Sequence, residues 1–244
     1  MEARAIQTRA PVSDTEQILH GDCVQVMQTM PTHSIDLIVT DPPYGVRYRD
    51  RTGRQVANDH GLEWVVPAYQ EMYRLLKQNS ICISFYGWNR IEVFMNAWKR
   101  AGFTPVSHIV WRKGYSSKVG FVKASHEQAY VLAKGRPPMP RNPLWDVQRW
   151  HYTGNEHHPT QKSVEIIRPL IESFSRPGDV VLDPFAGSGS TPLAADVCGR
   201  HGLGIELDAT HCDVARTRLA HLHARQGKQR RPADQPSTVI QLRR

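Results

Sequence analysis

The sequence predicts an α/β fold in which helices cover both faces of a mostly parallel sheet. Short apolar runs rich in β-branched residues alternate with segments whose apolar residues recur at helical spacing. The chain has 244 residues, enough for one large domain with its own core. Two stretches suit turns that follow strands of such a sheet, Asp41 to Tyr44 and the Gly-rich Pro184 to Thr191.

Seven strands are predicted because each is a short apolar run that ends near Gly, Pro, Asp or a basic residue. They span 18–23, 34–40, 80–86, 104–111, 127–133, 179–183 and 202–207.

Six helices are predicted between and after these strands, at 24–30, 63–77, 89–101, 163–175, 192–198 and 208–225. Pro31 ends the first helix, and Gly102 ends the third as a C-terminal cap. In the second, third and fourth helices, apolar residues repeat every three or four positions. Asp208 begins the last helix as an N-cap.

Three polar segments interrupt this pattern. Residues 46–61 and 114–124 are basic loops, and 136–157 combines Pro with Trp, Tyr and Arg. Loops of this length in a compact domain are usually functional or mobile. We expect one domain at 16–225, a flexible lead at 1–15 and a basic, disordered tail at 226–244.

Composition limits the partner and the compartment. The net charge of +8 favours a polyanionic partner, with nucleic acid first. No apolar run is long enough to span a membrane, and Met1 to Asp14 lacks the apolar core of a signal peptide, so we expect a cytoplasmic protein. The four cysteines are far apart and the histidines lack ligand spacing, which predicts reduced thiols and no metal site.

The turn Asp41-Pro42-Pro43-Tyr44 holds a carboxylate, a free backbone carbonyl and an aromatic ring in a stiff arrangement. It follows a predicted strand, and ligands bind at the carboxyl ends of strands in open α/β sheets. The arrangement suits a flat ring that carries an exocyclic amino group. These four residues alone also fit a simple strand-ending turn.

The Gly-rich loop predicts a nucleoside cofactor. Phe185 to Gly189 lies between a strand and a helix, where glycines permit a tight turn and close approach to a ligand. Glu206 ends the next strand, where an acid can accept both hydroxyls of a ribose. No Gly-Lys-Ser/Thr phosphate loop follows, and Pro192 stands where a dinucleotide fingerprint needs Gly.

Six blocks together resemble the amino-group DNA methyltransferases of the permuted, β-type motif order. Here, as in that family, the Asp-Pro-Pro-Tyr block precedes the Phe-x-Gly-x-Gly block. The resemblance covers about residues 17–224 and rests on His20-Gly-Asp-Cys23, Asp41-Pro-Pro-Tyr44, Trp111-Arg-Lys113, His158-Pro-Thr-Gln-Lys162, Asp183-Pro-Phe-Ala-Gly-Ser-Gly-Ser-Thr191 and Gly204-Ile-Glu-Leu-Asp208. It implies a Rossmann-like methyltransferase fold with a seven-stranded sheet and S-adenosyl-L-methionine as the cofactor.

By position, the resemblance implies cofactor-binding residues in five of the six blocks. Asp22 resembles the acid near the cofactor adenine, Glu206 the ribose acid, and His158 to Lys162 the segment over the methionine end. Ser163 stands where the family usually has Pro, so we expect local softening there. The implied set is Asp22, Cys23, Asp41, His158, Thr160, Lys162, Asp183, Phe185, Ala186, Gly187, Ser188, Gly189, Glu206 and Leu207.

The expected catalytic residues are Asp41, Pro42, Pro43 and Tyr44. The Asp41 carboxylate and the Pro42 carbonyl accept the two amino hydrogens, and Tyr44 stacks on a base flipped out of double-stranded DNA. In the family, Asp at the first position favours adenine N6 over cytosine N4.

Ten basic residues are the expected DNA contacts. Only about twenty residues fall in the recognition region of the permuted order, which predicts a short or relaxed target site and strong reliance on phosphate contacts. The residues are Arg47, Arg49, Arg51, Arg54, Arg112, Lys113, Lys118, Lys123, Arg141 and Arg149.

Alternatives stay open. A cytosine-N4 enzyme, an RNA or protein methyltransferase with the same turn, a nicotinamide-dependent oxidoreductase and a DNA-binding protein without activity are the rivals. The sequence leaves open a homodimer and an accompanying restriction endonuclease, and this chain carries no nuclease motif.

Overall fold

The structure, a computed structural model, describes residues 17–45, 61–116, 118–150 and 162–229. Within these ranges the strands are β1 Ile18–His20, β2 Ile35–Thr40, β3 Leu76–Phe85, β4 Thr104–Arg112, β5 Lys118–Val119, β6 Lys123–Ala124, β7 His126–Lys134, β8 Val147–Arg149, β9 Val180–Asp183 and β10 His201–Glu206. The helices are α1 Cys23–Gln28, α2 Val65–Leu75, α3 Ile91–Ala101, α4 Val164–Phe174, α5 Ser190–Val197 and α6 Ala209–Gln229.

The main sheet confirms the predicted α/β class. Its strand order is β1-β10-β9-β2-β3-β7-β4-β8. The pairs from β1 to β3 are parallel, and so is the pair β4 and β8, whereas β7 is antiparallel to both of its neighbours. The mostly parallel order places helix crossovers on both faces.

The sheet has eight strands where the sequence predicts seven. The additional strand, β8, lies in the segment 136–157, which we expected to be irregular. Val110 N–H donates to the Asp146 carbonyl and Trp150 N–H donates to the Arg112 carbonyl, so this segment pairs with the free edge of β4. An edge strand of three residues has too little periodicity to be recognised in sequence.

Further boundaries differ from expectation, among them the start of β3 at Leu76, inside the predicted helix 63–77. The predicted basic loop 114–124 contains a two-stranded hairpin, with Lys118 opposite Ala124 and Val119 opposite Lys123. Helix α6 continues to Gln229, so residues 226–229 are helical although the sequence assigns them to the tail. The predicted cap at Gly102 is confirmed, since it follows α3 with a φ of 104°.

A topological switch point lies between β2 and β9. The chain leaves β2 through α2 to β3 on one side, and leaves β9 through α5 to β10 on the other. The two central strands pair directly, with Leu37 opposite Val181 and Ile38 opposite Leu182. Ligands of such sheets bind in the crevice outside the carboxyl ends at this point.

The strand alternation divides the core into two layers. Ile38 and Leu182 face the layer that contains Trp98 and other residues of α1, α2 and α3. Leu37 and Val181 face the opposite layer, formed with α4 and α5. Packing on both faces holds the central strands in place, and with them the crevice at their carboxyl ends.

The described helices include none that is both long and apolar enough to cross a membrane. Cys23, Cys82, Cys198 and Cys212 all have free thiols. In the same described ranges, no group of three or more His, Cys, Asp or Glu side chains could hold a metal ion.

Candidate active site

The Asp41 carboxylate is held from two sides at the end of β2. Tyr44 OH donates to Asp41 Oδ1 at 2.5 Å, and Lys162 Nζ donates to Asp41 Oδ2 at 2.5 Å. The Asp41 side chain is 19% exposed. Each carboxylate oxygen can accept more than one hydrogen bond, so Asp41 keeps acceptor capacity toward the crevice.

Lys162 lies in a buried position beside aromatic rings. Its ammonium is 4.9 Å from the centre of the Phe85 ring and 5.8 Å from that of Trp150. Burial lowers the pKa of this ammonium, but the carboxylates of Asp41, Glu127 and Asp183 outweigh burial and the net pKa is raised. Lys162 is therefore a permanent cation next to Asp41.

Tyr44 is half-buried and its ring has a fixed orientation. The ring meets Phe94 edge-on, with 6.5 Å between centroids. A Cβ at Gly87 would lie 2.9 Å from the Tyr44 Cβ, so the turn after β3 requires glycine to accept this ring. Burial and the neighbouring Asp41 carboxylate raise the pKa of the Tyr44 phenol well above its usual value. The phenol stays protonated and donates to Asp41.

The Gly-rich loop is tied to β2 through Asp183. Thr40 Oγ1 donates to Asp183 Oδ1 at 2.8 Å, and Phe185 N–H donates to the same oxygen at 3.1 Å. Burial raises the Asp183 pKa to about 7, although these hydrogen bonds favour the charged form. Gly187 and Gly189 have φ values of 52° and 80°, which the tight turn requires.

Glu206 holds the other side of the loop. Its Oε2 accepts the Gly187 N–H and its Oε1 accepts the Asp208 N–H, both at 2.8 Å. The carboxylate thus joins the end of β10 to the Gly-rich loop and retains lone pairs for hydroxyl groups.

Asp22 and Cys23 lie beside Glu206 and Leu207 because β1 and β10 pair in parallel. His20 is opposite Glu206, and Gly21 N–H donates to the Glu206 carbonyl at 2.9 Å. The Asp22 carboxylate caps α1 by accepting two backbone N–H groups. Burial raises the pKa of the Cys23 thiol to about 12, so this thiol is inert at neutral pH.

A cleft at the switch point connects Asp41 and Lys162 with the Gly-rich loop. It is lined by Thr40, Asp41, Phe85, Lys162, Ile167, Asp183, Phe185, Ala186, Gly187, Ser188, Ser190 and Thr191. A nucleoside with a charged tail fits this donor set, because the cleft offers backbone groups, hydroxyls and both signs of charge.

Some of the predicted site residues cannot be located within the described ranges. His158 and Thr160, with Arg47, Arg49, Arg51 and Arg54, lie outside the described residues. Ser163 is buried, and its Oγ accepts the Glu165 N–H as the N-cap of α4, so the residue that replaces the family proline stabilises the helix start.

The basic residues predicted to contact DNA differ in how exposed their side chains are. Arg112, Lys123, Arg141 and Arg149 are exposed. Lys113 is 8% exposed and forms an ion pair with Glu127, so it lies inside the domain and is absent from the surface that could meet a polyanion. For Lys118 the structure describes the backbone, which lies in β5.

Sequence reasoning missed four residues that support the site. Arg218 on α6 donates to the Ser188 carbonyl at 2.5 Å and to its hydroxyl at 3.0 Å, which holds the Gly-rich loop from behind. Trp64 packs on Phe185 with 4.9 Å between ring centroids. Thr40 bonds Asp183, and Glu127 lies near Lys162. None of the four lies in a recognisable motif, and only tertiary contacts identify them.

Comparison with known proteins identifies relatives for most of the chain. A family model described as DNA methylase matches residues 35–217. The protein YubD of Escherichia coli K12, named as a methylase, is 54% identical over 204 residues, which are 84% of this chain and 90% of YubD. The DNA adenine methyltransferase YhdJ of the same organism is 29% identical over 85% of this chain and 83% of its own.

Solved structures share the fold. The complex of M1.HpyAVI with SAM has a TM-score of 0.66 at 24% identity and covers 83% of this chain and 98% of that chain. The cytosine-N4-specific PvuII DNA methyltransferase has a TM-score of 0.67 at 15% identity, with 85% and 91% covered.

Proposed function

The chain belongs to the N6/N4 DNA methylase family, and on that premise we propose that it transfers a methyl group from S-adenosyl-L-methionine to adenine N6 of a flipped DNA base. One observation carries the proposal. The Asp41-Pro-Pro-Tyr turn lies at the switch point, beside the cleft of the Gly-rich loop, with its carboxylate fixed by Tyr44 and Lys162.

Support for adenine comes from two observations. Asp41 occupies the position at which family members that resemble adenine enzymes have Asp, and YhdJ, a 29% identical relative, is named as a DNA adenine methyltransferase. Cytosine N4 is the second candidate, because the PvuII cytosine-N4 enzyme shares the fold.

The cofactor would be held in the cleft at the switch point. When bound, S-adenosyl-L-methionine supplies an electrophilic methyl group on a sulfonium. Glu206 would accept the ribose hydroxyls, and Asp22 and Leu207 would lie near the adenine. Phe185 to Gly189 would lie beneath the ribose and the methionine, with His158 and Thr160 over the methionine end.

Asp41 and Pro42 prepare the amino nitrogen. Its lone pair is delocalised into the base ring, so it is a poor nucleophile in free DNA. Two acceptors at the N–H bonds would favour a pyramidal nitrogen with a localised lone pair that is available for methyl transfer. Fixed negative groups also stabilise the positive charge that develops on nitrogen.

Lys162 has a positioning role in this scheme. Its raised pKa keeps it protonated, so it cannot accept the proton that the nitrogen loses. The ion pair instead fixes the carboxylate orientation, which aligns the amino group for transfer.

Double-stranded DNA is the proposed partner, and a location in the cytoplasm is an expectation that goes with it. The target base must leave the stack to reach Asp41, with Tyr44 as its stacking partner. The exposed Arg112, Lys123, Arg141 and Arg149 would contact phosphates. Segment 136–157 is short, which supports a short or relaxed target site. We also expect that the protein can form a homodimer and that it can act beside a restriction endonuclease in a restriction-modification system.

The direct test is to incubate the protein with unmethylated genomic DNA and cofactor, digest the DNA and measure modified nucleosides by mass spectrometry. We expect N6-methyladenine. N4-methylcytosine would shift the proposal to the second candidate, and methylation of RNA alone would refute it. Sequencing the product tests relaxed specificity, which a strict site of six or more base pairs would contradict.

The variant Asp41→Asn tests the role of the Asp41 charge. It keeps the shape of the turn and one acceptor but removes the negative charge, so we expect the methyl-transfer rate to fall about 10²- to 10³-fold, the range for loss of one electrostatic group in an active site. DNA affinity should stay within about twofold. Transfer at the wild-type rate would exclude Asp41 as the catalytic acceptor.

A further inference from the structure

The β5–β6 hairpin (residues 118–124) carries two apolar side chains at its tip. Phe121 is fully exposed, and Val122 is 77% exposed. The hairpin is closed by strand pairing and by the Gly120 N–H, which donates to the Val122 carbonyl at 3.1 Å. A fully exposed Phe at a constrained tip has no function in packing the domain core.

The hairpin lies at the edge of the sheet that carries Asp41. Thr40 is level with Ser84 of β3, which pairs with Tyr130 of β7. The hairpin ends just before His126, which is four residues from Tyr130 along β7, in the direction of the carboxyl end of β2. At the usual rise per residue, the hairpin therefore begins roughly 14 Å above the level of Thr40. Strand β7 is two strands away from β2, so the sideways offset is about 10 Å. These offsets are comparable to the width of a DNA major groove, about 12 Å.

Positive charge surrounds the hairpin. Arg112 lies opposite both His126 and Arg149 in the strand register, and the two arginines are exposed. Lys118 and Lys123 flank the tip in the sequence, and Lys123 is exposed. Like charges on neighbouring strands repel each other, and a polyanion between them removes the repulsion. A second copy of this surface would increase it.

We propose that Phe121 inserts into the DNA duplex beside the target nucleotide and stabilises the state in which the base is flipped out. The inference rests on the proposed DNA methyltransferase function. Flipping costs the stacking and pairing of one base, and apolar side chains that enter a base step compensate part of this cost. The surrounding cations bind the phosphates on either side and hold the tip in the groove.

The test compares wild type with Phe121→Ala in single-turnover methylation of duplex DNA and of the same DNA after heat denaturation. We expect Phe121→Ala to slow methylation of the duplex about 10-fold, within the roughly 5- to 150-fold range for loss of one aromatic group stacked on a base. Denatured DNA needs no flipping from a duplex, so its rate should change less than about twofold. Phe121→Trp should restore the duplex rate.

A second measurement does not depend on methylation of denatured DNA. Insertion unwinds the duplex, so relaxed plasmid closed by a topoisomerase with wild type bound should change its linking number, and Phe121→Ala should abolish that change. When denatured DNA is no substrate for wild type, this measurement decides. Val197→Ala, an exposed apolar substitution on α5, is the control and should match wild type.

Three outcomes overturn the inference. They are a wild-type duplex rate for Phe121→Ala, equal losses on both templates, and unwinding that persists in Phe121→Ala. A variant that alters the oligomeric mass in light scattering, with the duplex rate unchanged, would assign the tip to self-association. If wild type methylates neither template, the proposed function itself fails.

Discussion

Neighbouring residues of one basic motif have opposite environments. Arg112 is the last residue of β4 and is exposed, whereas Lys113 follows it, is buried, and bonds Glu127. Side chains alternate between the two faces of a strand, so two adjacent cations cannot share one surface. Which of the two lies inside depends on what the neighbouring strand offers, and here β7 offers a carboxylate.

Lys113→Met should therefore lower stability without affecting DNA electrostatics. Removing one partner of a buried, charged hydrogen bond costs about 1–3 kcal/mol. Urea denaturation should record that loss, while the salt dependence of DNA affinity stays unchanged. Arg112→Ala should do the reverse, with a stability change within about 0.5 kcal/mol and a shallower salt dependence. Equal stability of the two variants would contradict the assignment.

Asp183 should give the protein a specific pH dependence. Its folded pKa is about 7, above the value of about 4 for an unfolded chain, so the folded state binds the proton more tightly. The contribution of Asp183 to the free energy of unfolding is therefore largest below about pH 4 and is lost as the pH rises from about 4 to 7. Relative to wild type, Asp183→Asn should gain up to roughly 3–4 kcal/mol over this window. Denaturation at pH 4 and pH 8 measures the difference, and parallel pH profiles would refute the assignment.

At the scale of elements, the cleft depends on how closely α5 approaches β10. A Cβ at Gly202 would lie 2.4 Å from the Pro192 carbonyl oxygen and 2.6 Å from the Pro192 Cα. Both are backbone atoms that cannot move alone. The glycine that permits close packing of helix and strand is therefore on the following strand, rather than in the loop that the dinucleotide fingerprint would use.

Gly202→Ala should displace α5 and the Gly-rich loop that precedes it. We expect a stability loss of about 1–3 kcal/mol, as for other overpacked sites, and weaker binding of S-adenosyl-L-methionine in calorimetry. Gly114→Ala is the matched control for stability, because its Cβ would meet nothing within 4 Å. A wild-type melting temperature for Gly202→Ala would mean that α5 adapts at no cost.

Charge acts at the scale of the whole molecule. With a net charge of +8 and exposed arginines at the catalytic edge of the sheet, binding to DNA should depend steeply on salt. Arg112→Ala combined with Arg149→Ala should reduce the slope of log K against log salt by about 1.8, since each lost phosphate contact contributes about 0.9. Fluorescence anisotropy with a mixed-sequence duplex from 50 to 200 mM salt measures this. An unchanged slope would place DNA elsewhere on the surface.

The sequence by itself determined the fold class, the motif order and hence the family, because these depend on periodicity and on residues close together in the chain. It also predicted that the turn Asp41 to Tyr44 and the Gly-rich loop follow strands. It could not predict β8, the hairpin or the last turn of α6, whose periodic signals are too short.

Only the tertiary structure decided what surrounds each functional group. Lys162 and Asp41 are 121 positions apart and meet because α4 and β2 pack on each other. The contacts of Arg218 with the Gly-rich loop and the burial of Lys113 against Glu127 likewise depend on the register of distant segments. Local sequence fixes which group a residue offers, whereas strand register and helix packing fix which group it meets.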